Sequence, residues 1–179
     1  MRLDLEGLHI APLTAADVQA FVAYRRIPEV AQFQGWSLDY SLADGQKLVE
    51  AQALRDFPVT GEWMQFGIHR EGHLVGDLAL HSLADQPASY EFGVTLDPAH
   101  HGAGIATRAL TAALGHLFDV RDAHRVLAQC DERNDAVKAL FARLGLRHEG
   151  TAREGDWFKG EWTSVETWAV LASERGPAS

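Results

Sequence analysis

The residues that bear most directly on chemistry lie in a glycine-rich stretch that joins an expected strand to an expected helix. The strand stops at Asp97-Pro98, Gly102 and Gly104 crowd the turn that follows, and a helical pattern begins at once. The first N–H groups of a helix have no intrahelical partners, and the helix dipole places positive charge there. Glycine also lets the backbone approach a pyrophosphate closely. The stretch therefore predicts an anion-binding site, the alternative being a tight turn without a ligand.

A carboxylate and an amide flank this loop in the sequence. Glu91 lies on the preceding strand, and Asn134 opens a later helix. A half-buried carboxylate has a raised pKa that suits proton removal, so Glu91 is a candidate general base for any reacting group that lies beside it. The alternative is an exposed strand glutamate, with Tyr90 and Phe92 facing the core. The single cysteine, Cys130, is expected to be a small buried residue rather than a nucleophile.

The elements that must position these residues follow a mixed α/β (α+β) pattern. A central sheet of six to seven strands is expected, with alternating or apolar runs at about residues 8–13, 63–69, 73–80, 90–96, 126–130, 147–153 and 161–171. Helical spacing indicates helices at about 14–27, 41–57, 104–118 and 134–144. This order predicts one sheet flanked by helices, in a single domain over residues 1–172 with a flexible tail over 173–179.

The whole arrangement resembles the GNAT superfamily of acetyltransferases over nearly the full chain. The resemblance rests on the strand Glu91-Phe92-Gly93-Val94, the loop Gly102-Ala103-Gly104, Asn134 at a helix start, and Leu144-Gly145-Leu146 before Glu149-Gly150. Arg153 and the strand at 162–171 resemble the corresponding segments of one branch of this superfamily, which acetylates the N-termini of ribosomal proteins. The resemblance implies an N-acyltransferase that uses acetyl-CoA, and it leaves the acceptor open.

The resemblance also implies where acetyl-CoA binds, namely in a splay between two neighbouring parallel strands. The backbone of Val94, Thr95 and Leu96 would pair with its pantetheine arm, and an N–H group there would polarise the oxyanion. The pyrophosphate would be held by the amides of His101, Gly102, Ala103, Gly104, Ile105 and Ala106. Asn134 would contact the co-substrate or order a water beside it. Lys138 and Arg143 would reach the adenosine phosphates, the alternative being solvated helix positions.

The expected reaction is direct attack of an amine on the thioester, which needs no covalent intermediate and agrees with the lack of a nucleophile triad. Two residues beside the leaving sulfur depart from the family pattern: Phe141 replaces a tyrosine, and Val137 replaces a serine. The thiolate would leave without an acid, since thiols have a pKa of about 8.5. Alternatively, Thr163, Ser164 or a water on Asn134 would substitute.

Three other functions fit the same sequence. They are a CoA-binding regulatory or interaction domain without activity, an acyltransferase that uses another donor such as succinyl-CoA, and a nucleotide-dependent transferase built on the glycine loop. The loop contains neither the Gly-Lys-Ser/Thr of a Walker motif nor the third glycine of a dinucleotide fingerprint.

The charge of the chain limits the classes of partner that it is expected to bind. The formal net charge of −9 argues against binding to nucleic acid and fits a cationic acceptor, such as a protein N-terminus or a small amine. The candidate lining of the acceptor site comprises the aromatic stretch 33–36, Trp63, Trp157 and Trp162, with Asp39, Glu62 and Asp77 to attract the cation.

The remaining expectations concern location and assembly. No apolar run approaches the ~18 residues of a membrane span, and the first residues lack a signal-peptide pattern, so cytoplasmic residence is expected. The histidines show no metal-binding spacing, so no metal site is expected. A homodimer is implied by the resemblance alone.

Overall fold

The structure, a computed structural model, describes residues 1–175 and contains one eight-stranded sheet within that range. The strands are β1 (Leu3–Leu5), β2 (Leu8–Pro12), β3 (Trp63–Arg70), β4 (His73–Ser82), β5 (Ser89–Leu96), β6 (Arg125–Asp131), β7 (Arg147–Phe158) and β8 (Glu161–Leu171). They lie in the order β1-β2-β3-β4-β5-β6-β8-β7, and β5–β6 is the parallel pair among antiparallel neighbours. The predicted mixed α/β fold is confirmed, and β1 is the strand that the sequence pattern did not reveal.

Five α-helices accompany the sheet within residues 1–175: α1 (Val18–Arg25), α2 (Pro28–Ala31), α3 (Leu42–Gln52), α4 (Ile105–Asp119) and α5 (Asp135–Arg143). Helices α3 and α5 each have a side-chain N-cap at the residue where the sequence pattern places the start of the helix. Ser41 Oγ accepts a hydrogen bond from Asp44 N at 3.2 Å, and Asn134 Oδ1 accepts one from Val137 N at 3.2 Å. Such side-chain acceptors satisfy N–H groups that the helix itself leaves free.

Helix α3 is shorter than expected, ending at Gln52 rather than near Phe57. The Gln52 side chain bonds the backbone N and O of Gln65 on β3, at 2.9 and 2.7 Å, which ties the helix end to the sheet. Pro58 also disfavours helical geometry at the residue before it. The proline therefore limits the helix only near Phe57, and the contact with Gln65 marks where it stops at Gln52.

The two faces of the sheet carry different layers. Helices α4 and α5 cover one face over the larger apolar core, to which Leu78, Phe92 and Leu110 belong. Helices α1 and α3 form a smaller cluster around Phe21. Because side chains alternate along a strand, Asp77 points away from the larger core and receives a hydrogen bond from Tyr24 of α1.

The parallel pair β5–β6 opens into a fork. Backbone pairing joins Ser89 to Arg125, Tyr90 to Val126 and Glu91 to Leu127, and it stops there. Residues 92–96 of β5 stay paired only with β4, and residues 128–131 of β6 stay paired only with β8. The predicted splay between two parallel strands is therefore present, with its vertex at Glu91.

The end of the described chain is held by ionic contacts. Ala172–Glu174 forms a short 3₁₀ turn, in which Glu174 pairs with Arg147, and Arg175 Nη1 lies 2.9 Å from Asp119 Oδ1. Residues 173–175 of the expected tail therefore contact the domain, while 176–179 lie outside the described residues.

Candidate active site

A cleft of about 420 Å³ lies where the fork meets helices α4 and α5, and we call it the donor cleft. It is lined by Gln34, Val94, Leu96, His100, His101, Gly102, Gly104, Ile105, Ala106, Thr107, Asn134, Ala136, Val137, Leu140 and Arg143. The unpaired edge of β5, the glycine loop and the first turns of both helices thus meet around one space. Nine of the residues predicted to hold acetyl-CoA are brought together here: Val94, Leu96, His101, Gly102, Gly104, Ile105, Ala106, Asn134 and Arg143.

The glycine loop has the geometry of an anion site. Gly102 and Gly104 adopt φ values of +75° and +72°, the left-handed region that glycine enters without a steric penalty. A Cβ on either residue would meet no heavy atom within 4 Å, so backbone conformation rather than crowding calls for glycine. Gly104 is the N-cap of α4 and offers no side-chain acceptor. The first N–H groups of this 15-residue helix are therefore left for an external anion.

Four predicted residues lie outside the donor cleft. Thr95 is buried and faces the opposite side of the sheet, where it pairs with Asp77 of β4. Ala103 lines a separate polar depression beside Arg108. Phe141 is only 2% exposed and packs edge-on against Phe92, so it belongs to the core rather than to the cleft surface. These residues therefore do not line the donor cleft, and their contact with acetyl-CoA stays a prediction.

Lys138 is the fourth such residue, and its ammonium group is already engaged. Its Nζ donates to Glu132 O at 2.6 Å and lies 2.9 Å from Asp135 Oδ1 and 3.8 Å from Glu166 Oε1. These contacts direct the side chain away from the donor cleft. Arg143, five residues further along α5, is the basic side chain that the helix presents to the cleft.

Glu91 occupies the vertex of the fork. Its side chain is 20% exposed and points to the face opposite Tyr90 and Phe92. Burial raises its pKa above the ordinary value of 4.5, while His81, with Nδ1 3.8 Å from Glu91 Oε2, acts in the opposite direction. Glu91 is therefore neither a core residue nor a fully solvated one, and its environment suits a general base.

A second cavity of about 460 Å³ lies along the other limb of the fork, and we call it the β6–β8 cavity. It is lined by Phe33, Gln129, Cys130, Asp131, Ala152, Gly155, Asp156, Phe158, Thr163, Val165 and Thr167. Two carboxylates and no basic side chain belong to this lining. One carboxylate, Asp131, is bound by Arg133, whose guanidinium lowers its pKa.

The acidic residues expected to attract a cation are engaged elsewhere. Asp77 is buried and binds Tyr24 and Arg25, so it faces no open space. Asp39 accepts a hydrogen bond from Ser37, and Glu62 pairs with Arg55. None of the three lines the β6–β8 cavity.

The candidate partners of the leaving thiolate can also be placed. Thr163 Oγ1 lies in the β6–β8 cavity, 3.5 Å from Asp156 O, and Ser164 Oγ accepts a hydrogen bond from Glu154 N at 3.2 Å. Neither residue lines the donor cleft. Burial raises the pKa of Cys130 to about 11, which keeps this thiol protonated near neutral pH and unsuited to nucleophilic attack.

Five residues that line the donor cleft were not predicted from the sequence: Gln34, His100, Thr107, Ala136 and Leu140. Val137, which the resemblance places beside the leaving sulfur, lines the cleft as well. For Ala136, Leu140 and Arg143 a signal exists, because their spacing puts them on one side of α5. Gln34 comes from the loop between α2 and α3, where no periodic pattern points to a site.

Two general features of the described residues complete the picture. Residues 1–175 contain no group of three or more His, Cys, Asp or Glu side chains arranged to hold a metal ion. Over the same range, no helix has both the length and the apolar character needed to cross a bilayer.

Comparison with known proteins matches this geometry to a family. A family model described as an acetyltransferase (GNAT) domain matches residues 8–147. The N-acetyltransferase YoaA of Bacillus subtilis, itself uncharacterised, is 23% identical over 171 residues, which cover 94% of this chain and 96% of that protein. The ribosomal-protein-serine acetyltransferase of Escherichia coli is 25% identical over 106 residues, 59% of each chain. The chain belongs to the GNAT acetyltransferase family, as its sequence pattern predicted.

A solved structure extends the likeness to the fold. The crystal structure of spermidine N-acetyltransferase from Vibrio cholerae, in complex with CoA and spermine, matches with a TM-score of 0.81 at 18% identity, covering 95% of this chain and 98% of that one. The chain is accordingly an N-acetyltransferase with acetyl-CoA as its co-substrate. The exposed helix N-terminus, the two left-handed glycines and Arg143 fit the negatively charged end of that co-substrate.

Proposed function

We propose that the chain transfers the acetyl group of acetyl-CoA directly to a primary amine, on a protein N-terminus or a small molecule, with Glu91 as general base. The observation that carries the proposal is the position of Glu91 at the vertex of the fork. The donor cleft follows the unpaired edge of β5, and the β6–β8 cavity follows β6. Glu91 lines neither cavity, and from the vertex between them it is proposed to reach the reacting amine directly or through a water.

The proposed reaction needs one general base and no covalent enzyme intermediate. The amine nitrogen attacks the thioester carbonyl carbon, the C–S bond breaks, and the proton lost by nitrogen passes to Glu91, directly or through a water. Backbone N–H groups on the unpaired edge of β5 are free of a β6 partner, and they supply the donors that an oxyanion needs.

The departing thiolate is proposed to leave without a protein acid. Val137 borders the donor cleft and Phe141 is buried in the core, and neither has a proton to give. A thiol has a pKa of about 8.5, so the thiolate is a tolerable leaving group near neutral pH.

The acceptor is proposed to be cationic before it reacts. The β6–β8 cavity contains Asp131 and Asp156, lacks a basic lining residue, and has Phe33 and Phe158 for apolar contact. A ribosomal-protein-serine acetyltransferase and a spermidine N-acetyltransferase are among the proteins that this chain is similar to, and the second is named for a polyamine acceptor. Cytoplasmic location and a homodimer stay predictions, and sedimentation velocity would test the latter.

The test is release of free CoA thiol from acetyl-CoA in the presence of an amine panel. The panel includes peptides with free Ser or Ala N-termini, matched N-acetylated peptides, a diamine and a polyamine. We expect release that depends on a free amine, with the acetylated product seen by mass spectrometry. Binding of acetyl-CoA without release under any of these conditions would favour a non-catalytic CoA-binding domain, and faster release from succinyl-CoA would favour another acyl donor.

A further inference from the structure

Two adjacent residues of the loop between α2 and α3 line two different cavities. Gln34 borders the donor cleft, and Phe33 borders the β6–β8 cavity. The loop therefore lies across the opening between the two limbs of the fork. Every other residue that lines the donor cleft, within the described chain, belongs to β5 or to the segments that follow it.

The side-chain amide of Gln34 is free to bind a ligand. Gln34 is half-buried, and within residues 1–175 its side chain makes no hydrogen bond, although its backbone N donates to Ala31 O at 3.0 Å. Across the cleft, the Asn134 carbonyl is already occupied as the cap of α5. A ligand that offers both a donor and an acceptor can satisfy the hydrogen-bonding groups of a half-buried amide that has no protein partner.

The loop that carries Gln34 is anchored at both ends. On one side, Lys159 Nζ donates to Ala31 O at 2.5 Å from the β7–β8 turn. On the other side, Trp36 Nε1 donates to Arg25 O at 3.0 Å, and its ring stacks on the Arg25 guanidinium at 3.8 Å. Arg25 is in turn held by Asp77 at 3.2 Å. These contacts fix the loop before any ligand binds, which reduces the ordering cost of binding.

We infer that Gln34 is a positioning residue for the acyl donor, its side-chain amide bonding an amide group of the pantetheine arm in the donor cleft. The arm carries C=O and N–H groups, and a glutamine side chain matches both. The edge of β5 binds the arm from one side, and Gln34 holds it from the side of the acceptor. The contact between Gln34 and the arm does not depend on the proposed function. Its consequence, orientation of the thioester towards the β6–β8 cavity, does rest on the proposed function.

The test compares two ligands on one matched pair of variants. Q34M keeps the length of the side chain and removes its hydrogen-bonding groups, while Q32M makes the same change at an exposed neighbour in the same loop. Calorimetry is run with CoA and with adenosine 3′,5′-bisphosphate, which lacks the arm. We expect Q34M to weaken CoA binding about tenfold, the effect of a lost hydrogen-bonding group, and to leave the bisphosphate within about twofold. Q32M is expected to bind both ligands like the wild type.

Three results would overturn the inference: unchanged CoA binding by Q34M, equal loss of both ligands, or the same loss in Q32M. Equal loss would mean that the substitution disturbs the loop rather than a contact with the arm. The titrations need no turnover, so a wild-type protein that binds CoA but acetylates no amine would contradict the proposed function and still decide the role of Gln34.

Discussion

Glu91 and His81 lie opposite each other on the antiparallel strands β5 and β4, with Glu91 Oε2 3.8 Å from His81 Nδ1. The His81 ring stacks on Trp63, with ring centroids 4.9 Å apart and planes within 17°. This row of side chains holds the Glu91 carboxylate on the face of the sheet that α4 and α5 do not cover. Burial therefore raises the pKa of Glu91, and the neighbouring His81 lowers it.

Replacing Glu91 by glutamine removes the proposed base and keeps the shape of the side chain. We expect E91Q to lower kcat by about 10²- to 10⁴-fold, the range for general-base catalysis, and to leave the Kd for acetyl-CoA within about twofold. Thiol release and calorimetry measure the two quantities. E71Q, in the exposed β3–β4 turn, is the matched control. Equal loss of binding and turnover, or no loss of turnover, would remove Glu91 from the mechanism.

The pH profile gives a second test of the same carboxylate. Glu91 acts as a base only when ionised, so kcat/KM falls as pH drops through its pKa. Because burial raises that pKa, the acid limb attributable to Glu91 lies above pH 4.5. H81F removes the group that lowers the pKa and keeps a ring against Trp63, so the limb is expected to move to higher pH. An unchanged limb in H81F would show that another group controls it.

The left-handed glycine at the start of α4 is expected to matter for co-substrate binding. G104A forces a Cβ into a backbone conformation that costs an L-residue about 1–2 kcal/mol, and the loop relaxes away from the anion-binding geometry. We expect roughly tenfold weaker CoA binding by calorimetry. G72A makes the same change at φ +79° in the β3–β4 turn, where no heavy atom lies within 4 Å of the new Cβ. If both variants bind CoA equally well, the loop does not hold the pyrophosphate.

The buried pair of Arg25 and Asp77 is expected to dominate the stability of the α1 layer. Both side chains are at most 5% exposed, and burial raises the pKa of Asp77. R25L leaves a buried carboxylate without its cation, so the free energy of unfolding should fall by about 3–5 kcal/mol. Urea denaturation measures this change. R26L, at the exposed neighbouring position, should stay within about 0.5 kcal/mol of the wild type, and a similar result for R25L would contradict the account.

Much of the fold could be predicted because its signals are local. Ser41 and Asn134 are N-caps whose side chains act within one turn of helix, and both lie where the sequence places them. The turn at Glu71 and Gly72 lies between the predicted strands 63–69 and 73–80, and both residues have positive φ, as a two-residue hairpin turn requires. β1 was missed because three residues are too few to show alternation.

The differences between expected and observed side-chain surroundings have a different cause, since these surroundings depend on tertiary contacts. Lys138 looks like a phosphate ligand on α5 until Glu132 and Glu166 are brought beside it. Gln34 has no periodic neighbours, and only the folded loop places it at the donor cleft. Asp77 was expected to attract the cationic acceptor, yet α1 covers it with Tyr24 and Arg25. Sequence patterns indicate which side chain is polar, and tertiary pairing decides whether it is free to act.

Direct transfer at the fork is tested most directly by a single-turnover reaction. Enzyme in excess over acetyl-CoA is mixed with an amine from the panel that supports turnover, and free CoA, acetylated amine and intact protein mass are followed together. The account predicts that CoA and acetylated amine appear in equal amounts at the same rate, while the protein mass stays unchanged. An acetylated protein that forms before the product, on Cys130 or elsewhere, would contradict direct attack by the amine.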